Sequence, residues 1–141
     1  MVIFYVKGIV PVPEGSHTAH IFGGRAVVHH NNSDKLMKYR EAVADAYRKS
    51  GANYLHDSPV SIQMCFIFPR PKSVSIKKRK YMTVKPDTDK LIRSTLDALT
   101  NVAYDDDSQV IDITASKIYN DYTEDGWYGV EIILDEAVID E

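Results

Sequence analysis

The chain has 141 residues, of which 44% are hydrophobic and 26% charged, a balance typical of a globular domain rather than of a disordered or fibrous chain. Its single cysteine excludes a disulfide framework, and no apolar run approaches the roughly 20 residues of a membrane helix. The formal net charge of −3 hides an asymmetry, because residues 58–86 hold seven cationic side chains and no acid. Acids dominate after that segment, so a phosphate-binding surface beside a cation site is favoured.

The first half of the chain predicts strands followed by one helix. Residues 2–10 predict a strand that ends at a proline-rich turn, and the glycine pair at 23–24 predicts a small hairpin. A helix is then predicted between a cap at residue 32 or 33 and a stop at Gly51, because apolar residues recur there at helical spacing. The unpaired cysteine fits a reducing compartment, so we expect a cytoplasmic protein.

The second half predicts a strand, a strong helix and two further strands. Alternating apolar residues mark a strand at 60–68, and a helix begins after Pro86. The apolar stripe of that helix consists of Leu91, Ile92, Thr95, Leu96 and Leu99. Residues 109–119 and 127–134 predict two strands joined by a polar turn as a second hairpin. This order predicts one α+β domain over residues 1–141, with a mixed or antiparallel sheet packed by two main helices.

Five carboxylates surround the second helix: Asp87 and Asp89 at its entrance, and Asp105, Asp106 and Asp107 after it. A helix N-terminus favours negative charge, but a cap needs only one carboxylate. A helix of about 12 residues is roughly 18 Å long, so the two groups meet only if a neighbouring element brings them back together. The residues alone leave two interpretations open: caps with a solvated turn, or an all-oxygen site for Mg²⁺ or Mn²⁺ that hydrolyses phosphodiesters.

The order of the motifs is more specific. "KPDTDKLIRSTLDAL" followed by "DDDSQV" resembles the signature of the RusA family of Holliday junction resolvases, crossover junction endodeoxyribonucleases often carried by phages and prophages. "KGIVPVPEGS" is similar to the first strand and turn of that family, and "CFIFPRPKS" to its central strand and basic loop. The resemblance covers residues 2–133. It implies a homodimeric, Mg²⁺-dependent endonuclease that acts on four-way DNA junctions in a bacterial or phage-infected cell.

The resemblance also implies roles for individual residues. The metal-binding and catalytic carboxylates are Asp87, Asp89 and Asp107, with Asp106 in support. Asp105 lies outside the motif. Asp97 matches a recurrent family position whose role is left open between function and structure.

The sequence also contains cationic residues near the acids and in the basic segment. Six residues after Asp87, where the family carries a catalytic lysine, this chain has Arg93, and Lys90 follows the second aspartate. Arg93 can stabilise developing charge but cannot act as a base, because guanidinium stays protonated. The predicted DNA contacts are Arg70, Lys72, Lys77, Lys78, Arg79, Lys80, Lys85 and Lys117. The alternative function is a catalytically inactive or purely DNA-binding relative.

Overall fold

The structure, a computed structural model, describes residues 1–15, 17–22, 25–30 and 33–139. The strands and helices are β1 Val2–Lys7, β2 His17–Phe22, β3 Arg25–His30, α1 Ser33–Lys49, β4 Val60–Phe68, α2 Thr88–Leu99, β5 Val110–Tyr119 and β6 Gly129–Glu136. A short 3₁₀ helix, Asp107–Gln109, precedes β5. None of the helices in these residues is long and apolar enough to cross a membrane.

Four of the strands form one mixed sheet in the order β1-β6-β4-β5. β4 runs antiparallel to β6 and parallel to β5, and β1 pairs antiparallel with β6. β2 and β3 form a separate two-stranded sheet, as the hairpin prediction expects, although the glycine pair at 23–24 lies outside the described residues. The predicted α+β class, with a mixed sheet and two helices, is confirmed.

The prediction of a second hairpin is wrong. β5 and β6 follow each other in the chain, but β4 lies between them in the sheet. The reason is the hydrophobicity of β4, in which Val60, Ile62, Met64 and Phe66 are all at most 3% exposed and therefore belong in the sheet interior. α2 then serves as the crossover connection that the parallel β4–β5 pair requires. β1 is also shorter than predicted, because it ends before Gly8, whose φ is +84°.

Both helices cover the same face of the sheet. The buried residues of β4 pack there with Leu91 and Leu99 of α2 and with Val43 of α1. The hydroxyls of Tyr39 and Thr95 lie 2.8 Å apart in this buried layer and join the two helices. The start of α2 therefore lies near the end of β4, and its end lies near the start of β5.

Candidate active site

The first pair of acids lies at the entrance of α2. Asp87 occupies the N-cap position with extended backbone angles, but its side chain makes no capping hydrogen bond. Asp89 lies in the first turn and is exposed. The Lys90 ammonium is 4.0 Å from the Asp87 carboxyl. Because neither carboxyl is used to cap the helix, capping does not explain why both acids are present.

Lys117 fixes this end of the helix. Its Nζ donates to the backbone carbonyls of Val84, at 2.6 Å, and Pro86, at 2.8 Å. The end of β5 is thereby joined to the segment that leads into Asp87. Lys117 was predicted to contact DNA, but two of its three donors are used within the chain. We therefore treat it as a residue that positions the helix entrance.

The second group of acids lies in the turn between α2 and β5, which Gln109 organises. Its Oε1 accepts from the backbone N–H groups of Asp105, at 2.8 Å, and Asp106, at 2.9 Å. Its Nε2 donates to the carbonyls of Leu55 and Ser58, both at 3.0 Å. All four hydrogen-bonding positions of this side-chain amide are used. The glutamine of the sequence motif is thus a structural residue of the turn.

Asp106 caps the 3₁₀ helix. Its Oδ1 accepts from the backbone N–H of Ser108 at 2.8 Å, and this bond lowers the pKa of the carboxyl. The side chain of Gln109 completes a capping box with it. This capping role accounts for Asp106 without a metal. Its predicted role in supporting the metal ligands stays a prediction.

Asp105 ties the same turn to residues 54–57. The Tyr54 hydroxyl donates to its Oδ1 at 2.7 Å, and the backbone N–H of Asp57 donates to its Oδ2 at 3.3 Å. His56 Nδ1 lies 3.3 Å from Oδ1. The hydrogen bond from Tyr54 is the main cause that lowers the pKa of the Asp105 carboxyl. Asp105 therefore has a structural role, in agreement with its position outside the family motif.

Asp107 is exposed and lies near the C-terminal half of α2. Burial is the main cause that raises the pKa values of Asp97 and Tyr104, and the negative charge of Asp107 adds to both. Asp87 lies at the N-terminal end of α2, a 12-residue helix that is roughly 18 Å long. No described group of three or more His, Cys, Asp or Glu side chains lies close enough to hold a metal ion. The joint role of Asp107 with Asp87 and Asp89 as metal ligands stays a prediction.

Asp97 belongs to an ion-pair cluster that sequence reasoning missed. Arg40 of α1 donates to the carboxyls of Glu14 and Asp97, the latter at 3.1 Å. Burial raises the pKa of Asp97, the Arg40 cation opposes this shift, and Glu14 adds to it. The cluster joins the N-terminal segment, α1 and α2. No sequence spacing indicated it, because its three members come from separate elements.

The cations of α2 differ in their surroundings. Arg93 is exposed and lies four residues from both Asp89 and Asp97 on the same helix face. Lys90 is half-buried and lies beside Asp87. The predicted catalytic role of each cation stays a prediction.

The basic segment divides into internal and exposed cations. Arg70 is only 11% exposed at its side chain, pairs with Asp121 at 2.8 Å, and lies 4.2 Å over the ring of Tyr119. It also donates to the backbone carbonyls of Arg79 and Lys80. Arg70 thus holds the loop together, and its predicted contact with DNA stays a prediction. The exposed members of the predicted set are Lys72, Lys77, Lys78, Lys80 and Lys85, with Arg79 half-buried and bonded to the Tyr119 hydroxyl at 3.0 Å.

A cleft of about 830 Å³ opens between the N-terminal segment, the start of α1 and the basic segment. Asp87 lines it, together with the cationic side chains of Lys35, Lys38, Lys85 and Lys90. Sequence reasoning missed Lys35 and Lys38, because on the polar face of α1 they have the pattern of ordinary solvated lysines. The cleft places positive charge beside the helix entrance.

Apolar side chains form most of the lining of this cleft, and its four lysines, which outnumber the acids Glu14 and Asp87, supply positive charge that attracts phosphate groups. The chain belongs to the endodeoxyribonuclease RusA family, whose model matches residues 9–128. It is also similar to the protein described as uncharacterized protein YqaN of Bacillus subtilis (strain 168). The two are 32% identical over 120 residues, which cover 79% of this chain and 83% of that protein. The family membership confirms the resemblance that the motifs carry.

Proposed function

We propose that this protein is a divalent-metal-dependent endonuclease that resolves four-way DNA junctions by hydrolysing phosphodiesters in DNA recombination and repair. Its membership of an endodeoxyribonuclease family supports this class of reaction. The observation that carries the proposal is the helix entrance, where Asp87 and Asp89 offer two carboxyls that do not cap the helix, beside a cationic cleft. Solvated caps would leave the second carboxyl and the cleft unexplained.

The donor set fits a hard cation. Asp87, Asp89 and Asp107 supply only oxygen atoms, which is the preference of Mg²⁺ and Mn²⁺ rather than of Zn²⁺. A bound ion would polarise a phosphoryl oxygen and lower the pKa of an attacking water. Lys117 would hold the helix entrance in position through its bonds to Val84 and Pro86. Asp106 would support Asp107 by keeping the 3₁₀ turn closed.

Cationic residues around the site would bind the DNA. Lys90, which lies 4.0 Å from Asp87, and Arg93, one helical turn after Asp89, would neutralise charge that develops on the phosphate, Arg93 as a permanent cation and not as a base. The exposed lysines of the basic segment, with Lys35 and Lys38 across the cleft, would contact neighbouring phosphates. Binding of this kind is independent of sequence and weakens steeply as salt rises.

The test uses the native chain and two labelled substrates of matched sequence, a four-way junction and a linear duplex. Cleavage of the junction in Mg²⁺, absent in EDTA and much weaker on the duplex, is the expected result. Binding of the junction without cleavage in Mg²⁺ or Mn²⁺ would contradict the proposal and favour an inactive, DNA-binding relative. Equal cleavage of junction and duplex would contradict the junction preference.

A further inference from the structure

The cleft beside the entrance of α2 has apolar depth. Its volume of about 830 Å³ lies within the range of roughly 300–1,000 Å³ that is usual for ligand sites. Phe68, Met82 and Tyr119 line it and are each at most 7% exposed. Val10, at 42%, and Val84, at 38%, line it while remaining open to solvent. Contacts to phosphate need charged or polar donors and no apolar depth. Phosphate binding alone therefore does not explain this lining.

Proline gives the walls of the cleft a restricted backbone. The chain has six prolines, and five of them line the cleft: Pro11, Pro13, Pro69, Pro71 and Pro86. Each proline ring fixes one backbone angle, so a wall that is rich in proline loses little conformational freedom when a ligand binds. The composition of the walls thus favours a site that is formed before its ligand arrives.

Residues 9–15 form the N-terminal wall, which hydrogen bonds hold in place without regular secondary structure. The Ser94 hydroxyl donates to the carbonyl of Val12 at 2.6 Å. The backbone N–H of Glu14 donates to the carbonyl of Lys90 at 3.0 Å, and the carboxylate of Glu14 accepts from Arg40. These bonds attach the N-terminal wall to both helices.

The basic segment forms the other wall and is attached in the same way. Lys117 donates to the carbonyls of Val84 and Pro86, two residues that line the cleft. Arg70, which lies between two of the lining prolines, donates to backbone carbonyls of the same segment and pairs with Asp121. Both walls are therefore held by the fold of the chain itself.

The charges around the cleft indicate which apolar ligand it takes. Four lysines line it: Lys35, Lys38, Lys85 and Lys90. Of its two acids, Glu14 is paired with Arg40, and Asp87 belongs to the candidate active site. Positive charge beside apolar walls fits a ligand that has a flat apolar part with phosphates on either side, which describes a nucleotide within a DNA strand. An apolar peptide would make no use of the lysines.

A base can enter the cleft only after it leaves the stack of a duplex. Unstacking costs free energy, and the cost is smallest where a base is already unpaired. Pairing and stacking are interrupted at the branch point of a four-way junction, so the bases beside that point enter most easily. Because Asp87 lines the same cleft, a base bound there lies beside the proposed site of hydrolysis.

We propose that the cleft binds one nucleobase taken from beside the branch point, while its lysines hold the phosphates on either side of that base. The inference rests on the proposed function for the identity of the substrate. It adds a physical reason for a junction preference, since capture of a base is least costly at a branch point and most costly within an intact duplex.

Photo-cross-linking locates the base without any cleavage. 5-Iodouracil is placed in turn at each position beside the branch point, and the labelled junction is bound to the native chain in EDTA and irradiated. We expect at least one position to cross-link to peptides that contain Phe68, Met82 or Tyr119, and the same label in a linear duplex to give no such product. Cross-links confined to side chains outside the cleft, such as the exposed Tyr81, or none from a bound junction, would overturn the inference.

A variant that fills the cleft tests the effect on selectivity. Val10→Trp enlarges a half-exposed side chain of the lining, so the buried core is left intact. We expect the affinity for the junction to fall by about tenfold, the order expected for loss of one base contact, and the affinity for linear duplex to stay unchanged. Ile3→Trp is the matched control, because Ile3 is 46% exposed on β1, outside the cleft. A Val10→Trp protein with the native melting temperature and native junction affinity, or an equal loss in both variants, would overturn the inference.

The two proposals fail in different ways. If the native chain cleaves a junction but the label cross-links only outside the cleft, the base site is wrong and the nuclease function stands. If the native chain binds a junction but never cleaves it in Mg²⁺, the nuclease function is wrong, while the cross-links formed in EDTA still decide the base site.

Discussion

Gln109→Glu tests whether one amide organises the acidic turn. The substitution keeps the shape of the side chain and the acceptor for the Asp105 and Asp106 amides. It replaces the Nε2 donor, so the bonds to the Leu55 and Ser58 carbonyls are lost. Two such bonds contribute about 2 kcal/mol, and a carboxylate oxygen that faces two carbonyls raises the expected loss to about 3 kcal/mol. For a chain of this length the melting temperature should fall by about 9 °C.

The pH dependence provides a second check on the same substitution. The new carboxyl lies among carbonyl oxygens and beside three aspartates, so its pKa in the folded state is raised above the unfolded value. When it is protonated it can donate again. The loss relative to native protein should therefore be full above the folded pKa and should shrink as the pH falls toward the unfolded pKa, near 4.

The measurement is thermal or urea unfolding of native protein, Gln109→Glu and the control Gln63→Glu at several pH values. Gln63 is exposed on β4, so the same chemical change there should cost less than about 0.5 kcal/mol. If the two variants lose the same stability, or if the deficit of Gln109→Glu grows as the pH falls, the assigned hydrogen bonds do not hold the turn.

Three further predictions concern the surroundings of the site. Lys117→Met should lower the free energy of unfolding by about 2 kcal/mol, because two charge-assisted hydrogen bonds are lost. It should also slow junction cleavage more than it weakens junction binding, because Asp87 loses its support. A variant with unchanged cleavage would refute the positioning role. Arg70→Met should lower the melting temperature, whereas Lys77→Met should leave the melting temperature unchanged and reduce the salt dependence of DNA binding. The reverse pattern in unfolding and binding assays would contradict the division of the basic segment into internal and exposed cations. The pKa of Asp105 is lowered in the folded state, so its contribution is present above the ordinary value of 3.8 and is lost as the pH falls below it. The stability of Asp105→Asn should accordingly fall less steeply with decreasing pH than that of native protein. An identical fall in the two proteins would contradict the hydrogen bonds assigned to this carboxyl.

The sequence predicts best where one periodicity is strong and local. α2 and β4 follow from their apolar patterns, since those patterns record which face is buried. The false hairpin of β5 and β6 arose because adjacency in the chain was taken for adjacency in the sheet, whereas β4 took the position between them. A local pattern does not show which strand of a sheet lies between two others.

The candidate site shows the same limit. The motif identified Asp87, Asp89 and Asp107 as one set of residues. It could not show that α2 lies between Asp87 and Asp107. Charge counting listed Arg70 only as a cation of the basic segment and could not show its ion pair with Asp121, which lies 51 residues away in the chain. Long-range pairs of this kind depend on the tertiary fold, so composition cannot reveal them.

The most direct measurement of the central claim is single-turnover cleavage of a four-way junction in Mg²⁺ by native protein, Asp89→Asn and Asp45→Asn. Asp45 is a half-exposed acid on α1, paired with Arg48, and controls for the loss of one negative charge. We expect Asp89→Asn to bind the junction as well as native protein while its cleavage rate falls by at least about 100-fold, the range for loss of an essential stabilising group. Asp45→Asn should cleave at the native rate. Equal cleavage by all three proteins would contradict the assignment of the helix entrance as the active site.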